Sequence, residues 1–371
     1  MRFTPGRTKV AIWTFGGDKY VAILYRPCPS AVFNPGQGWR HATCHAPGVR
    51  IRELICALLI VLSLHAVLGA QARTTQSPKP ARLPCGDLLG FEVRLDRQGF
   101  SVGEIDGKPG RSFSRALAAM QNARGLKPIG RPDCATWRAL AENGGPEPTI
   151  ATYIVTSDDL KGPFEANIPP SLAQQATLAT LGYQSVTEEL AERFHASPAL
   201  LRRLNPGPIV EGREIRVPGV TPFNPDIKPT FDPAAADVTI VVSREDSSLR
   251  ATRADGTILF YAPVTTGSVH DPLPSGDYKV LGLRWHPAFH YNPGLFWDAK
   301  EGDEKATIKP GPNNPVGVVW IALNLEHFGL HGTPEPGRVG HAESHGCVRL
   351  TNWDAARVAA LVKPGTPVQF R

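Results

Sequence analysis

The stretch HGTPEPGRVGHAESHGCVRL, residues 331–350, decides how this chain is interpreted. It holds three of the eleven histidines and one cysteine, Cys347. Four glycines and two prolines interrupt it, and such breaks predict loops and short strands rather than one helix. A thiol among imidazoles in a loop indicates nucleophilic chemistry, because an imidazole can take the thiol proton and create the reactive thiolate.

Each residue type near the thiol suits one task. Two imidazoles can reach Cys347: His331 lies 16 positions before it and His345 two positions before it. Either could form a thiolate–imidazolium pair with the cysteine. Gly346 allows a tight turn, so that the backbone N–H groups of residues 346 and 347 can face a developing oxyanion. Arg349 carries a guanidinium, which suits a substrate carboxylate.

Two other interpretations of the same residues stay open. Zinc could be held by Cys347 together with His331, His341 and His345. Within HAESH two histidines stand four apart, but the Glu is one position off the metalloprotease pattern and the nearby glycines disfavour a helix. A lone cysteine can also be a buried structural residue. The histidines, serine and arginine beside it favour the nucleophile, and we predict neither a metal nor a cofactor.

The stretch resembles the signature of the L,D-transpeptidase (YkuD) family. That signature is HG[ST], about a dozen residues, then [ST]HGC, a hydrophobic residue and Arg or Asn. The matching residues are His331, Gly332, Thr333, Ser344, His345, Gly346, Cys347, Val348 and Arg349. The resemblance covers residues 237–371, with one departure in LPSG (273–276), where the family usually has Thr at the position of Leu273.

The resemblance implies a role for each matched residue. Cys347 would be the nucleophile, His331 the base and then the acid, and the Gly332 carbonyl would orient His331. His345 would support the oxyanion site. The residues implied to contact the substrate or the oxyanion are Gly346, Ser344, Arg349 and Thr333.

The implied activity is transfer of a peptidoglycan stem peptide through a cysteine thioester. The product would be a 3→3 crosslink, with stem-peptide exchange or attachment to a lipoprotein as variants. A hydrolase on the same fold and a non-catalytic wall-binding protein are the alternatives.

Residues 237–371 are predicted to be mostly β. DVTIVVSREDSSLRATRADGTILFYAPVTTG (237–267) has β-branched runs around Asp-Gly, which indicates strands and a hairpin. GDYKVLGLRW (276–285) and PVGVVWIALNL (315–325) predict further strands, and only residues 353–361 predict a helix. The family resemblance implies a YkuD-like β-sandwich.

Residues 85–145 are predicted to form a small helical domain. Phe113, Leu117 and Met120 share one helix face, and Ser112 or Ser114 could cap that helix. GEIDGKPGRSFSRALAAMQNARGL (103–126) resembles the peptidoglycan-binding domain of cell-wall enzymes. A plain three-helix spacer is the alternative.

Residues 181–219 are predicted to form a second, small α+β module. We expect helices at about 186–194, capped by Thr187, and 198–204, capped by Ser197, and then a strand ending at Pro218. The pattern resembles a LysM module, which implies binding to glycan strands, although a purely structural module is the alternative. Residues 146–180 have no clear pattern, and the Pro-rich residues 220–236 predict an extended linker.

Residues 49–72 predict a secretory signal peptide. Arg50 and Arg52 precede an apolar run at 54–68, and cleavage is expected after Ala72. We interpret residues 1–48 as a non-native or disordered extension and 73–84 as a linker. An uncleaved leader is the alternative and would be the one membrane contact.

The cysteines and the charge agree with export. Beyond the leader, Cys85 and Cys134 could pair in an oxidising compartment, which leaves Cys347 as the odd thiol. We therefore predict a protein of the periplasm or cell wall. The net charge of +6 is spread out, without a dense basic run, and this disfavours nucleic acid as a partner.

Overall fold

The computed structural model describes residues 10–15, 18–23, 83, 85–143, 147–342 and 344–371. The chain divides into two units between Lys79 and Pro80. In the first unit, strands β1 (Val10–Phe15) and β2 (Asp18–Ile23) pair antiparallel. The predicted signal peptide lies outside the described residues. No described helix has the length and apolar character needed to cross a bilayer.

The second unit holds the helices and the remaining strands. The helices are α1 (Leu88–Arg97), α2 (Arg111–Ala123), α3 (Cys134–Asn143), α4 (Leu172–Gln175), α5 (Val186–Arg193), α6 (Pro198–Leu204) and α7 (Asn352–Leu361). The strands are β3 (Ile150–Ile154), β4 (Glu214–Pro218), β5 (Thr239–Ser243), β6 (Ser248–Thr252), β7 (Ile258–Pro263), β8 (Thr265–Thr266), β9 (Gly276–Trp285), β10 (Phe289–Tyr291), β11 (Ala306–Ile308), β12 (Val319–Leu323), β13 (Gly329–His331), β14 (Val348–Arg349) and β15 (Pro367–Phe370).

Nine strands form one hydrogen-bonded sheet in the order β7-β6-β5-β15-β9-β12-β13-β14-β8. The region from residue 237 onward is therefore mostly β, as predicted. Residues 276–279 of β9 pair with β15 and residues 280–285 pair with β12, so this one strand joins the group β7-β6-β5-β15 to the group β12-β13-β14-β8. The parallel pairing of β13 with β14 sets His331 opposite Arg349. This register brings together the two ends of the stretch 331–350.

Helix α7 packs against β12 and β13 of this sheet, close to where the sequence predicts it. It begins at Asn352, and the Thr351 hydroxyl caps it by accepting from the Asp354 N–H at 3.2 Å. Trp353 and Val358 are fully buried in the apolar core of the sheet. The helix thus fixes the chain that leaves β14.

The region of α1 to α3 buries the predicted face of α2, formed by Phe113, Leu117 and Met120. The predicted serine cap is wrong, because the helix starts at Arg111 with Gly110 as its N-cap, so that Ser112 and Ser114 already lie inside it. Cys85 and Cys134 form a disulfide with their Cα atoms 5.2 Å apart, as the sequence suggested. The bond ties the start of this region to α3.

Strand β3 precedes α5 and α6 in the chain and β4 follows them, and the two strands pair antiparallel. Strand β3 lies within residues 146–180, in which the sequence shows no clear pattern. Ser185 caps α5 instead of the predicted Thr187, whereas Ser197 caps α6 as predicted.

Residues 220–236 do not act as a free spacer. Phe223 is buried in the core of the nine-stranded sheet, and its N–H donates to the Arg193 carbonyl at 2.7 Å. An aromatic side chain thus anchors this Pro-rich segment to the sheet.

Candidate active site

A cavity of about 1380 Å³ opens beside β12, β13 and the β10–β11 hairpin. Five of the predicted site residues line it: His331, Thr333, His345, Cys347 and Arg349. The structure thus brings the thiol, both imidazoles and the guanidinium to one surface.

Part of the cavity wall comes from outside residues 237–371. Ile168, Pro169 and Leu172 line the cavity from the segment that the sequence left without a pattern. Ile168 and Leu172 of this segment pack against an apolar cluster that includes Ile308 of the β10–β11 hairpin. The segment is therefore part of the site's surroundings and not only a connector.

The Cys347 thiol is half-buried and unoxidised. Its Sγ donates to the His327 carbonyl at 3.4 Å. Burial raises the pKa of this thiol, although a backbone hydrogen bond from Gly329 and the charge of Arg349 act in the opposite direction. Before substrate binds, the cysteine is held as a thiol.

The His331 ring is oriented by its own chain. Its Nδ1 donates to the Gly332 carbonyl at 2.6 Å, and this leaves Nε2 with a free lone pair. The ring stacks on Trp320 with centroids 5.5 Å apart. Burial, assisted by the charge of Arg349, lowers the pKa of His331 to about 3. Both shifts favour a neutral imidazole and a thiol over the thiolate–imidazolium pair that the sequence allowed.

His345 is fixed by a partner that the sequence did not indicate. Its Nε2 lies 2.8 Å from Asp298 Oδ1, and its ring packs edge-on against Phe296 at 4.9 Å. Asp298 stands 47 positions away with no motif around it. The contact fixes the His345 ring in the wall of the cavity.

The turn before Cys347 is held by two features. Gly346 has φ +99°, a left-handed conformation that favours glycine, and a Cβ there would lie 2.7 Å from the Phe328 ring. The buried Ser344 hydroxyl donates to the Cys347 carbonyl at 2.7 Å. The hydroxyl of Ser344 thus stabilises the turn, whereas Thr333 and Arg349 are the members of the predicted substrate set that line the cavity.

Arg349 places a guanidinium at the same surface. Its buried Nε has no hydrogen-bond partner among the described residues. Burial lowers the pKa of Arg349, and the nearby Cys347 and Glu335 oppose that shift. A substrate carboxylate would satisfy this group.

Metal ligands do not converge in the described part of the chain: no three His, Cys, Asp or Glu side chains there are arranged to hold an ion. His341 is exposed on a turn. The described geometry is that of a thiol and a base.

Residues 237–370 match the family model of the L,D-transpeptidase catalytic domain, YkuD. Residues 91–140 match the model described as "Putative peptidoglycan binding domain". The chain is thus multidomain, with a mostly-β YkuD-like catalytic domain preceded by a helical region. Two of the three resemblances seen in the sequence are thus supported, and the resemblance of residues 181–219 to a LysM module stays a prediction.

Two curated relatives are similar over about half of this chain. The Bacillus licheniformis protein named "Putative L,D-transpeptidase YkuD" is 28% identical over 187 residues, which is 49% of this chain and 92% of the relative. The Bacillus subtilis protein of the same name is 26% identical over 182 residues, 48% of this chain and 89% of the relative.

Solved structures give weaker likenesses. An L,D-transpeptidase from Mycobacterium smegmatis is 20% identical, with a TM-score of 0.30, over 36% of this chain and 58% of that chain. L,D-transpeptidase 1 of Mycobacterium tuberculosis is 17% identical, with a TM-score of 0.28, over 36% of this chain and 61% of that chain. The chain spans less than two thirds of these solved proteins, and the family match, not these scores, supports the domain.

Proposed function

We propose that this chain is an L,D-transpeptidase that acts on peptidoglycan stem peptides through a thioester on Cys347. One observation carries the proposal: in the domain that matches the family model, Cys347 and an oriented, neutral His331 line the same cavity. A neutral imidazole with a free Nε2 is suited to act as a general base.

The reaction begins with acylation. Cys347 Sγ attacks the carbonyl that joins the third stem residue to the terminal D-Ala, and its proton passes to His331 Nε2. The N–H groups of Gly346 and Cys347 stabilise the oxyanion. The C–N bond then breaks, the D-Ala amine takes the proton from His331, and the stem remains as a thioester.

Transfer completes the cycle. A side-chain amine of a second stem attacks the thioester and gives a proton to His331. The C–S bond breaks, the sulfur takes that proton back, and the two stems are joined by a 3→3 crosslink. Water in place of the amine would give hydrolysis, and a free D-amino acid or a lipoprotein amine would give exchange or attachment.

The size of the cavity supports transfer over hydrolysis. Its volume of about 1380 Å³ exceeds the roughly 300–1,000 Å³ of sites for one small ligand, which is compatible with a donor and an acceptor stem together. The guanidinium of Arg349 suits the terminal carboxylate of a stem.

The N-terminal parts are proposed to bind glycan strands outside the cytoplasm. The antiparallel strands β3 and β4 around α5 and α6 support a LysM-like module. The Cys85–Cys134 disulfide supports an oxidising compartment, either the periplasm or the cell wall, reached through the leader at 49–72.

The test is incubation of the purified protein with disaccharide-tetrapeptide, followed by mass spectrometry. Crosslinked dimers that have lost one D-Ala indicate transfer, and free tripeptide stems indicate hydrolysis. Cys347→Ala should lose more than about a hundredfold of either activity, because only the thiolate forms the thioester. Full activity in Cys347→Ala would refute the mechanism.

A further inference from the structure

A buried amide stands directly behind the proposed base. Asn352, the first residue of α7, is fully buried. Its Oδ1 accepts from the Val318 N–H at 3.1 Å, and its Nδ2 donates to the Pro312 carbonyl at 3.1 Å and to Glu192 Oε1 at 3.0 Å. Three hydrogen bonds, to the loop before β12 and to α5, therefore fix the position of this one side chain.

The amide packs against the turn that orients His331. A Cβ at Gly332 would lie 2.1 Å from Asn352 Oδ1, and a Cβ at Gly317 would lie 2.0 Å from the same atom. Asn352 thus occupies the space in front of both glycines. The Gly332 carbonyl accepts from His331 Nδ1. This carbonyl belongs to the glycine that packs against Asn352, so the packing sets the direction of the carbonyl.

The partner of Asn352 comes from outside the catalytic domain. Glu192 belongs to α5, is only 6% exposed, and also accepts from the Tyr183 hydroxyl at 3.1 Å. Burial raises the pKa of Glu192 to about 8. Neither Glu192 nor Asn352 lines the cavity, so neither contacts substrate, and any effect on turnover must act through His331.

We propose that Glu192 and Asn352 are a positioning pair through which the α5 region holds the Gly332 carbonyl, and thereby His331, in the orientation needed to serve Cys347. The part that concerns turnover rests on the proposed function. Loss of the pair releases the Gly332 peptide, weakens the bond from Nδ1 and lets the proton move to Nε2. With the proton on Nε2, the lone pair lies on Nδ1, and the nitrogen proposed to accept the thiol proton can no longer do so.

The chain offers a matched control for the removal of a buried carboxyl. Glu92 in α1 is 1% exposed, accepts from the Gly107 N–H at 2.7 Å, and has a pKa raised by burial to about 8. It therefore resembles Glu192 in environment but makes no contact with Asn352. Glu92→Leu therefore shows how the loss of a buried carboxyl by itself affects kcat and the His331 shifts, because it does not disturb the turn at Gly332.

The experiment compares Glu192→Leu, Glu192→Gln and Glu92→Leu in the full chain. Two quantities are measured: kcat and KM with disaccharide-tetrapeptide, and the ¹⁵N shifts of His331, which report its tautomer. In Glu192→Leu we expect kcat to fall about 10- to 100-fold, with little change in KM, since small misplacement of a catalytic group has effects of this size. The His331 shifts should move away from the Nδ1–H form.

Glu192→Gln keeps a carbonyl acceptor for Asn352 and should recover most of the lost kcat and the wild-type shifts. The proposal is overturned if Glu192→Leu differs from Glu92→Leu in neither kcat nor tautomer. If Glu192→Leu does not fold, Asn352→Ser, which cuts the same pair from the other side, is judged by the same two readouts. A wild-type protein with no turnover would refute the proposed function, while the tautomer would still test the positioning pair.

Discussion

At the level of single residues, burial controls the chemistry of the site. Charged forms lose solvation when a group is buried, so the pKa of a thiol rises while that of an imidazole falls. Cys347 and His331 follow this rule in opposite directions. These directions favour a neutral pair, and they favour transfer of the thiol proton during attack on the substrate carbonyl over transfer before it.

The pH dependence of Cys347 alkylation tests this resting state. Because the pKa of the thiol is raised, the rate with iodoacetamide should keep rising beyond pH about 8.5, the ordinary thiol value. No thiolate plateau is expected at pH 6. A plateau with an apparent pKa below about 7 would contradict the prediction and favour a preformed ion pair.

Replacement of each histidine separates their roles. His331→Ala should lower kcat more than about a hundredfold with little change in the thiol pKa, because a neutral imidazole contributes no charge to the thiol. His345→Ala should lower kcat less, since His345 Nε2 is engaged by Asp298 at 2.8 Å. Steady-state kinetics and alkylation profiles of both variants supply the measurement. A larger loss in His345→Ala would reverse the assignment.

The sequence identified those site residues that lie within one contiguous motif. Cys347, His331 and Arg349 could be predicted because their types and spacing are distinctive. Asp298 and Glu192 could not, because their contacts join positions 47 and 160 residues apart and a carboxylate alone carries no motif. The hydroxyl of Ser344 was assigned to the substrate region, since a sequence does not show where a side chain points.

At the level of elements, the turn at residues 344–347 sets the direction of the nucleophile. Gly346 takes a conformation that costs other residues roughly 1–2 kcal/mol, and the Phe328 ring occupies the space where a Cβ would stand. The backbone conformation of Gly346 and the packing of the Phe328 ring therefore both fix the turn.

Gly346→Ala should cost more stability than Gly365→Ala and should also slow acylation. Gly365 has a similar φ of +92°, and nothing lies within 4 Å of the position that a Cβ would take there, so it reports the backbone strain alone. Urea unfolding gives the two stabilities, and the additional Phe328→Leu change should recover part of the loss in Gly346→Ala. Equal losses for both glycines, with acylation unchanged, would show that the ring contact has no effect.

Elements with local signals could be predicted, whereas those that depend on distant partners could not. α6 was expected because Ser197 and Pro198 mark its start. The sequence did not predict β3, because IATYI is a short run in a segment without pattern. Its partner strand β4 begins at Glu214, 60 residues after Ile154, the last residue of β3. Pairing over such a distance leaves no periodic signal in the sequence.

At the level of the whole molecule, the parts that resemble separate modules share one buried polar network. Asp96 in α1 accepts from Arg357 in α7 at 2.7 and 2.9 Å, and its Oδ1 lies 3.1 Å from His195 Nδ1. Ser101 donates to Asp354 at 2.7 Å. The Pro-rich composition of residues 220–236 indicated modules on a tether, since composition cannot show that Phe223 is buried or that these side chains meet.

The network should make the second unit unfold cooperatively, and Asp96→Asn tests this. Burial alone would raise the pKa of Asp96, but Arg357 and His195 hold it well below its usual range. A depressed pKa contributes stability above the unfolded value of about 3.9, and this contribution is lost as the pH falls through the folded value. Asp96→Asn leaves the Arg357 charge buried with one weaker partner, Asp354 at 3.6 Å.

Breaking a buried pair in this way costs about 3–5 kcal/mol, so calorimetry at pH 7 should show a lower Tm and separate transitions for the helical region and the sheet. The difference between wild type and variant should shrink at acid pH. Asp246→Asn is the control, because its pair with Arg250 at 3.2 Å is exposed and is worth less than about 1 kcal/mol. If Asp96→Asn lowers the free energy of unfolding no more than Asp246→Asn does, the network does not hold the helical region and the sheet together. The packing of Phe223 and α7 must then account for their association.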